Sequence, residues 1–172
     1  PILASALAGV VLMLLTRCLH WDEAWSAIDT RLVLLIVTSL ALGTALSGTG
    51  ATDWIAAQFV RLVEGLSPAV ILALFLLLLG ILNEFISNNA VAVIFTPIGI
   101  GIAEQLGVPA LPFVLAVLFG ANIGFITPIG YQTNLLVFTA GGYKFTDFFR
   151  VGAPLLILMW LTLSAALSLL YF

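Results

Sequence analysis

Charge is what this sequence has least of. Of its 172 residues, five are Lys or Arg and eight are Asp or Glu, so 8% are charged while 63% are hydrophobic. Soluble domains carry about 25% charged and about 45–50% apolar residues, which excludes a water-facing globule. No basic run exists, so nucleic acid finds no electrostatic footprint, and a net charge of -3 is too small to name a partner. One cysteine, Cys18, excludes an intrachain disulfide and a cysteine metal cluster. No HExxH, no GxSxG and no paired catalytic acids occur, which leaves an intramembrane enzyme unsupported. Strand alternation is missing while the apolar runs are long, so spans should be helices rather than barrel strands. The first apolar run lacks the basic flank and small-residue cleavage pattern of a signal peptide. The chain opens at Pro1 rather than Met, and further residues upstream are expected.

What is present is a series of apolar runs cut by polar punctuation. Residues 2–19 form a run that reaches about 27 Å as a helix, enough to span. His20 follows, with Trp21 and Trp25 beside Asp22 and Glu23, an interfacial composition. Arg31 opens the run 32–46, broken by Gly43, Ser47, Gly48, Thr49 and Gly50. Residues 1–50 therefore read as two transmembrane helices. Residues 51–66 place apolar side chains at helical spacing among Asp53, Arg61 and Glu64, the pattern of an amphipathic helix lying in the interface. Two arms, 69–85 and 90–106, then flank Ser87-Asn88-Asn89, with neither loop nor aromatic belt between them. Each arm falls short of the about 20 residues of a comfortable span. Two readings stand: a re-entrant hairpin over 68–106 with its tip inside the membrane, favoured by the spacing, and two ordinary spans joined by a surface turn. The run 109–126 contains Asn122, a candidate for helix–helix hydrogen bonding, and Gly124. Thr127-Pro128-Ile129-Gly130 stops it and 135–140 resumes it, so 109–140 reads as one broken helix. Residues 141–153 are an interfacial connection and 154–172 a last span. Arg17, Arg31, Lys144 and Arg150 fall on one side and Arg61 on the other, placing loops 20–31 and 141–150 in the cytoplasm. The hairpin then enters from the outer face.

Polar groups at membrane depth are costly unless paired, so the two polar stretches carry the chemistry. At Ser87-Asn88-Asn89 the second arm begins, and its free N–H groups suit an anion. The first arm ends there, and its free carbonyls, Ile86 among them, suit a cation. At the break, Thr127, Gln132 and Thr133 bring oxygens, and the carbonyls of Ile126 and Thr127 lose their helical partners. Asn134 has the residue type of an N-cap for the resumed helix. No Lys or Arg lies between Glu64 and Lys144, so an anion held here needs helix ends and a co-bound cation. Na⁺ suits hydroxyl and carbonyl oxygens. A proton carried by Glu84 is the rival. Glu84 also has a structural reading, as a group hydrogen-bonded across the hairpin or paired with a part of the protein outside this chain.

Glu84-Phe85-Ile86-Ser87-Asn88-Asn89-Ala90 resembles the Ser-Asn-Thr hairpin signature of the divalent-anion/sodium symporter family. The stretch from Thr127 to Asn134 resembles that family's Thr-Pro loop, and Gly141 to Gly152 resembles its bacterial sulfate-permease-like branch. The resemblance implies an all-α integral membrane fold: one inverted repeat, the C-terminal one, of an elevator-type transporter in the cell (inner) membrane. It also implies scaffold helices in 1–50, a transport-domain part in 67–153, a homodimer, and a missing N-terminal half as partner. By this resemblance Ser87, Asn88, Asn89, Thr127 and Pro128 bind substrate, and Asn134, read from its residue type at a second helix end, is counted with them. The resemblance gives sodium to Asn88 and Thr127 and, by position only, to Asn83, and the free backbone carbonyls read at Ile86 and Ile126 join that set. Asn89 stands where the family has Thr, and Gln132-Thr133-Asn134 where dicarboxylate carriers have Pro-Pro-Asn, which moves the expected substrate from a dicarboxylate toward sulfate or another inorganic oxyanion. The implied function is sodium-coupled anion symport. The alternatives are a di- or tricarboxylate symporter, a proton-coupled carrier, an uncoupled anion or arsenite permease, and a non-transporting membrane subunit.

Overall fold

The computed structural model describes residues 2–27 and 30–172, without the side chains of Leu3, Arg31, Leu32, Leu35, Ile36, Ser39, Leu40, Ser47 and Gln132. The expectations resting on the Arg31 and Gln132 side chains thus lie outside the described residues. The chain forms two compact units, Pro1–Thr38 and Ser39–Phe172. Every described regular element is a helix.

In the first unit, α1 (Ile2–Leu15) stops short of residue 19. Arg17 turns into the left-handed region at φ 56°. The N–H groups of Cys18 and Leu19 both donate to the Met13 carbonyl. The tryptophan stretch is itself a short helix, α2 (Trp21–Ser26), closed by the Glu23 carboxylate accepting the His20 N–H at 2.9 Å. Next comes α3 (Thr30–Gly48), which begins in the first unit, continues past Thr38 into the second, and runs straight through Gly43. The expected interruption comes after Gly48, at Thr49 and Gly50, and φ of Gly50 is 72°.

The second unit carries α4 (Ala51–Leu62), α5 (Pro68–Leu82), α6 (Asn88–Leu106), α7 (Leu111–Gly120), α8 (Gln132–Gly141) and α9 (Phe145–Tyr171). Its core gathers around Phe75, whose ring meets Phe59 at 5.6 Å, Phe113 at 6.1 Å and Phe95 at 6.5 Å. One α5 side chain thereby joins α4, α6 and α7. The short helix α7 packs against α5, α6 and α9, whereas α5 and α6 touch each other little. Close approach relies on missing side chains: a Cβ at Gly99 would lie 3.3 Å from the Phe75 ring, and one at Gly101 3.3 Å from the Ala56 methyl. Trp160 pins α9 to α5 by donating its indole N–H to the Ala73 carbonyl at 2.7 Å.

Of the next four elements, two have boundaries that differ from the sequence expectation, each for a local reason. The amphipathic helix α4 buries Thr52 and Ala56, and its Asp53 carbonyl accepts a hydrogen bond from the Gln105 side-chain amide, so one of its faces packs on protein. Helix α6 passes Pro97 unbroken, the Pro tolerated among packed neighbours. Helix α7 ends at Gly120 instead of 126, leaving 121–131 irregular. The connection expected over 141–153 is mostly the first part of α9, which starts at Phe145 with the Asp147 carboxylate accepting the Lys144 N–H, and contains Pro154. By length and composition α6 and α9 are long and apolar enough to cross a membrane.

Candidate solute site between a turn and a helix break

Helix α5 ends at Leu82 and α6 begins at Asn88, so residues 83–87 form a turn. Ser67-Pro68 starts α5 with Pro in its first turn, and the apolar stretch beyond it ends where Asn83 and Glu84 begin. Ser87 is the N-cap of α6, and its Oγ accepts the Ala90 N–H at 3.3 Å. The hydroxyl proton of Ser87 and the first N–H groups of α6 remain for a ligand.

The turn faces the irregular segment 121–131. Glu84 is 2% exposed. Its Oε1 accepts the Ile126 N–H at 2.8 Å and its Oε2 the Thr127 N–H at 2.7 Å. Thr127 Oγ1 donates to the Glu84 carbonyl at 3.1 Å and accepts the Gly130 N–H at 3.1 Å. These bonds satisfy backbone groups that a broken helix leaves open. Two glycines make the fit possible. A Cβ at Gly124 would stand 2.6 Å from Asn83 Nδ2, and one at Gly130 3.2 Å from both the Asn83 carbonyl and Glu84 Oε2. Asn134 does not open α8 as an N-cap; Tyr131 holds that position. From inside α8 its Nδ2 reaches back to the carbonyls of Gly124 at 3.0 Å and Thr127 at 3.4 Å.

Asn83 is fully buried, yet neither its Oδ1 nor its Nδ2 has a hydrogen-bond partner. A buried amide left unpaired costs about 1–3 kcal/mol, so its position calls for a partner. It lines a small cavity of about 170 Å³ with Asn88, Asn122, Gly124, Phe125, Tyr131 and Asn134. A larger cavity of about 530 Å³ adjoins it through Asn88, Asn122 and Tyr131. Ile86, Ser87, Asn89 and Gly130 also line that cavity.

The expected site residues therefore sort into three groups. Asn83, Asn88 and Asn134 meet at the small cavity, while Ile86, Ser87, Asn88 and Asn89 meet at the large one. Ile126, Thr127 and Pro128 line neither; Thr127 and Pro128 are buried behind the walls. Asn122 was expected between helices but is exposed, at the junction of both cavities, with Nδ2 donating to the Leu118 carbonyl at 2.7 Å. Sequence reasoning assigned no role to Tyr131, and to Gly130 only a part in the helix break. The signal for Asn122 was its place between Gly120 and Gly124, two points where the helix can stop.

Comparison with known proteins bears on what such a site handles. The profile of the CitMHS family, described as citrate transporter, matches residues 1–172. An uncharacterized transporter, sll0640, of Synechocystis is 39% identical over 99% of this chain and 28% of its own length. A probable sodium/sulfate cotransporter 3 of Chlamydomonas reinhardtii is 35% identical over 97% of the chain and 18% of its own length. Sodium/sulfate cotransporter 1 of the same alga is 33% identical over 96% of the chain and 19% of its own length. The chain thus spans between about a fifth and just over a quarter of these relatives.

Proposed function

This chain belongs to the CitMHS citrate-transporter family, a family of membrane transporters rather than enzymes, and from that premise we propose that it is one half of a sodium-coupled anion symporter. The observation that carries the proposal is the meeting of turn 83–87 with segment 121–131, which joins a cavity at a helix N-terminus to a buried, unpartnered amide. The anion sits in the larger cavity against Ser87, Asn88 and Asn89 at the start of α6, with Asn134 on the adjoining small cavity and Thr127 and Pro128 supporting the break from behind the walls. Na⁺ sits at Asn83 and Asn88, with the carbonyls of Ile86, Ile126 and Thr127 as further oxygen ligands. With no Lys or Arg between Glu64 and Lys144, that cation offsets the anion's charge.

Both Glu84 oxygens accept amide N–H groups, which favours Na⁺ over a proton as the coupling ion. Sulfate is the favoured substrate, by the relatives named sodium/sulfate cotransporters. The family description favours a carboxylate as the second reading, and a cavity of about 530 Å³ has room for either. The re-entrant hairpin 68–106, the elevator motion, the homodimer, the multi-pass inner-membrane setting and the missing N-terminal half complete the proposal. In proteoliposomes, labelled sulfate should accumulate with an inward Na⁺ gradient and exceed citrate and succinate. Accumulation unchanged when choline replaces Na⁺ would reject the coupling, and preferential citrate uptake would reject the substrate.

A further inference from the structure

Glu84 carries more than packing. A trans peptide is planar, so the N–H of one residue and the carbonyl of the residue before it point in opposite directions. No cis peptide occurs among the described residues. When Glu84 takes the Thr127 N–H, the Ile126 carbonyl must point away from Glu84. When it takes the Ile126 N–H, the Phe125 carbonyl must do the same. The second consequence is visible: the Phe125 carbonyl lies against Gly152 of α9, so close that a methyl group at 152 would overlap it. The two carboxylate oxygens therefore set the orientation of two successive peptide planes in a segment with no helix to orient them.

The geometry points to Glu84 as a positioning residue that aims the Ile126 carbonyl and locks segment 121–131 to the turn after α5, so that the cation's ligands from both segments keep one geometry. This deepens the proposed site and rests on its cation reading. Glu84 lines neither cavity, so its influence passes through the peptide planes it holds. Thr127 closes the clasp from the other side by returning a hydrogen bond to the Glu84 carbonyl. The size of the carboxylate matters. Asp would keep the charge but, one methylene shorter, could not span both amides. Gln would keep the length but set an NH₂ donor against an N–H.

The test uses the intact protein with Glu84→Gln, Glu84→Asp and, as a control at an exposed site on α6, Glu104→Gln. Hydrogen–deuterium exchange is followed over 121–131 and over α9. The expected result is faster exchange at 121–131 in Glu84→Gln, an intermediate rate in Glu84→Asp, and unchanged protection of α9 in both. Proteoliposome uptake should then show the Na⁺ half-saturation raised about 10–100-fold in Glu84→Gln, the range typical of residues that orient metal ligands. The anion KM at saturating Na⁺ should move far less. Unchanged exchange at 121–131, Glu84→Asp behaving as wild type, or protection lost evenly through α9 would each overturn the assignment. If the wild-type protein itself proves indifferent to Na⁺, the transport reading fails, while the exchange measurement still decides whether Glu84 holds the segment.

Discussion

At the scale of single residues, Asn83 is the costliest group in the site and the easiest to test. Its amide is fully buried and unpaired, so folding without a ligand bears the cost of desolvating it. Asn83→Leu keeps the same branched heavy-atom outline and has no polar atoms. In Na⁺-free detergent solution it should melt at the same temperature as wild type or higher, gaining up to about 1–3 kcal/mol. Wild type should be stabilised by Na⁺, by about 2.7 kcal/mol when Na⁺ is a hundredfold above its Kd, and Asn83→Leu should not. A Na⁺-dependent melting shift that survives in Asn83→Leu would remove Asn83 from the cation site. The residue types of this site were legible from the sequence, because asparagines and a carboxylate stand out in an apolar chain. Their partners were not. Glu84 finds Ile126 and Thr127 across separations of 42 and 43 residues, and the groups it binds are backbone amides, which every residue but proline possesses. Asn134 looked like a cap because of its type; its side chain instead serves two carbonyls of the break.

At the scale of elements, hydropathy revealed that the helices exist and misjudged where several end. Ile123, Phe125 and Ile126 are apolar enough to continue α7, and nothing in their composition says stop. The stop comes from packing. Gly120 lies beneath Leu79, and Gly124 must leave room for Asn83, so beyond residue 120 the backbone follows the turn it meets. The last helix offers the converse case: Pro154 reads as a start, yet Asp147 closes the true start at Phe145 and the proline is absorbed within. Where α9 crosses the break, Gly152 has no space for a methyl group against the Phe125 carbonyl. Gly152→Ala should therefore force α9 and the break apart and destabilise the protein by about 1–3 kcal/mol, the usual penalty of overpacking. Val151→Ala, next in sequence but 69% exposed, should change little. Thermal unfolding of the two variants side by side decides this, and equal stability would show that the crossing yields easily.

At the scale of the whole molecule, family and class were readable from composition and two motifs, and the match over residues 1–172 agrees with both. How the turn 83–87 meets the two sides of a membrane was not readable, because hydropathy gives the same trace for a re-entrant tip and a surface turn. Labelling separates them. With Cys18 replaced by Ser, Ser87→Cys should react with small aqueous thiol reagents, and substrate with Na⁺ should slow the reaction at least several-fold. Reactivity from one face with no substrate protection would make residues 83–87 a surface turn. The clasp of Glu84 has one more consequence, which concerns the order of biosynthesis. At synthesis rates of about 5–20 residues per second, Glu84 leaves the ribosome about 2–8 s before the amide of Ile126, 42 residues on, exists to receive it. During that interval the carboxylate has no place in lipid, and α5 must wait beside water or within the insertion machinery. A nascent chain stalled before residue 126 should accordingly leave residues 83–87 open to aqueous reagents, and release of the next stretch should close them.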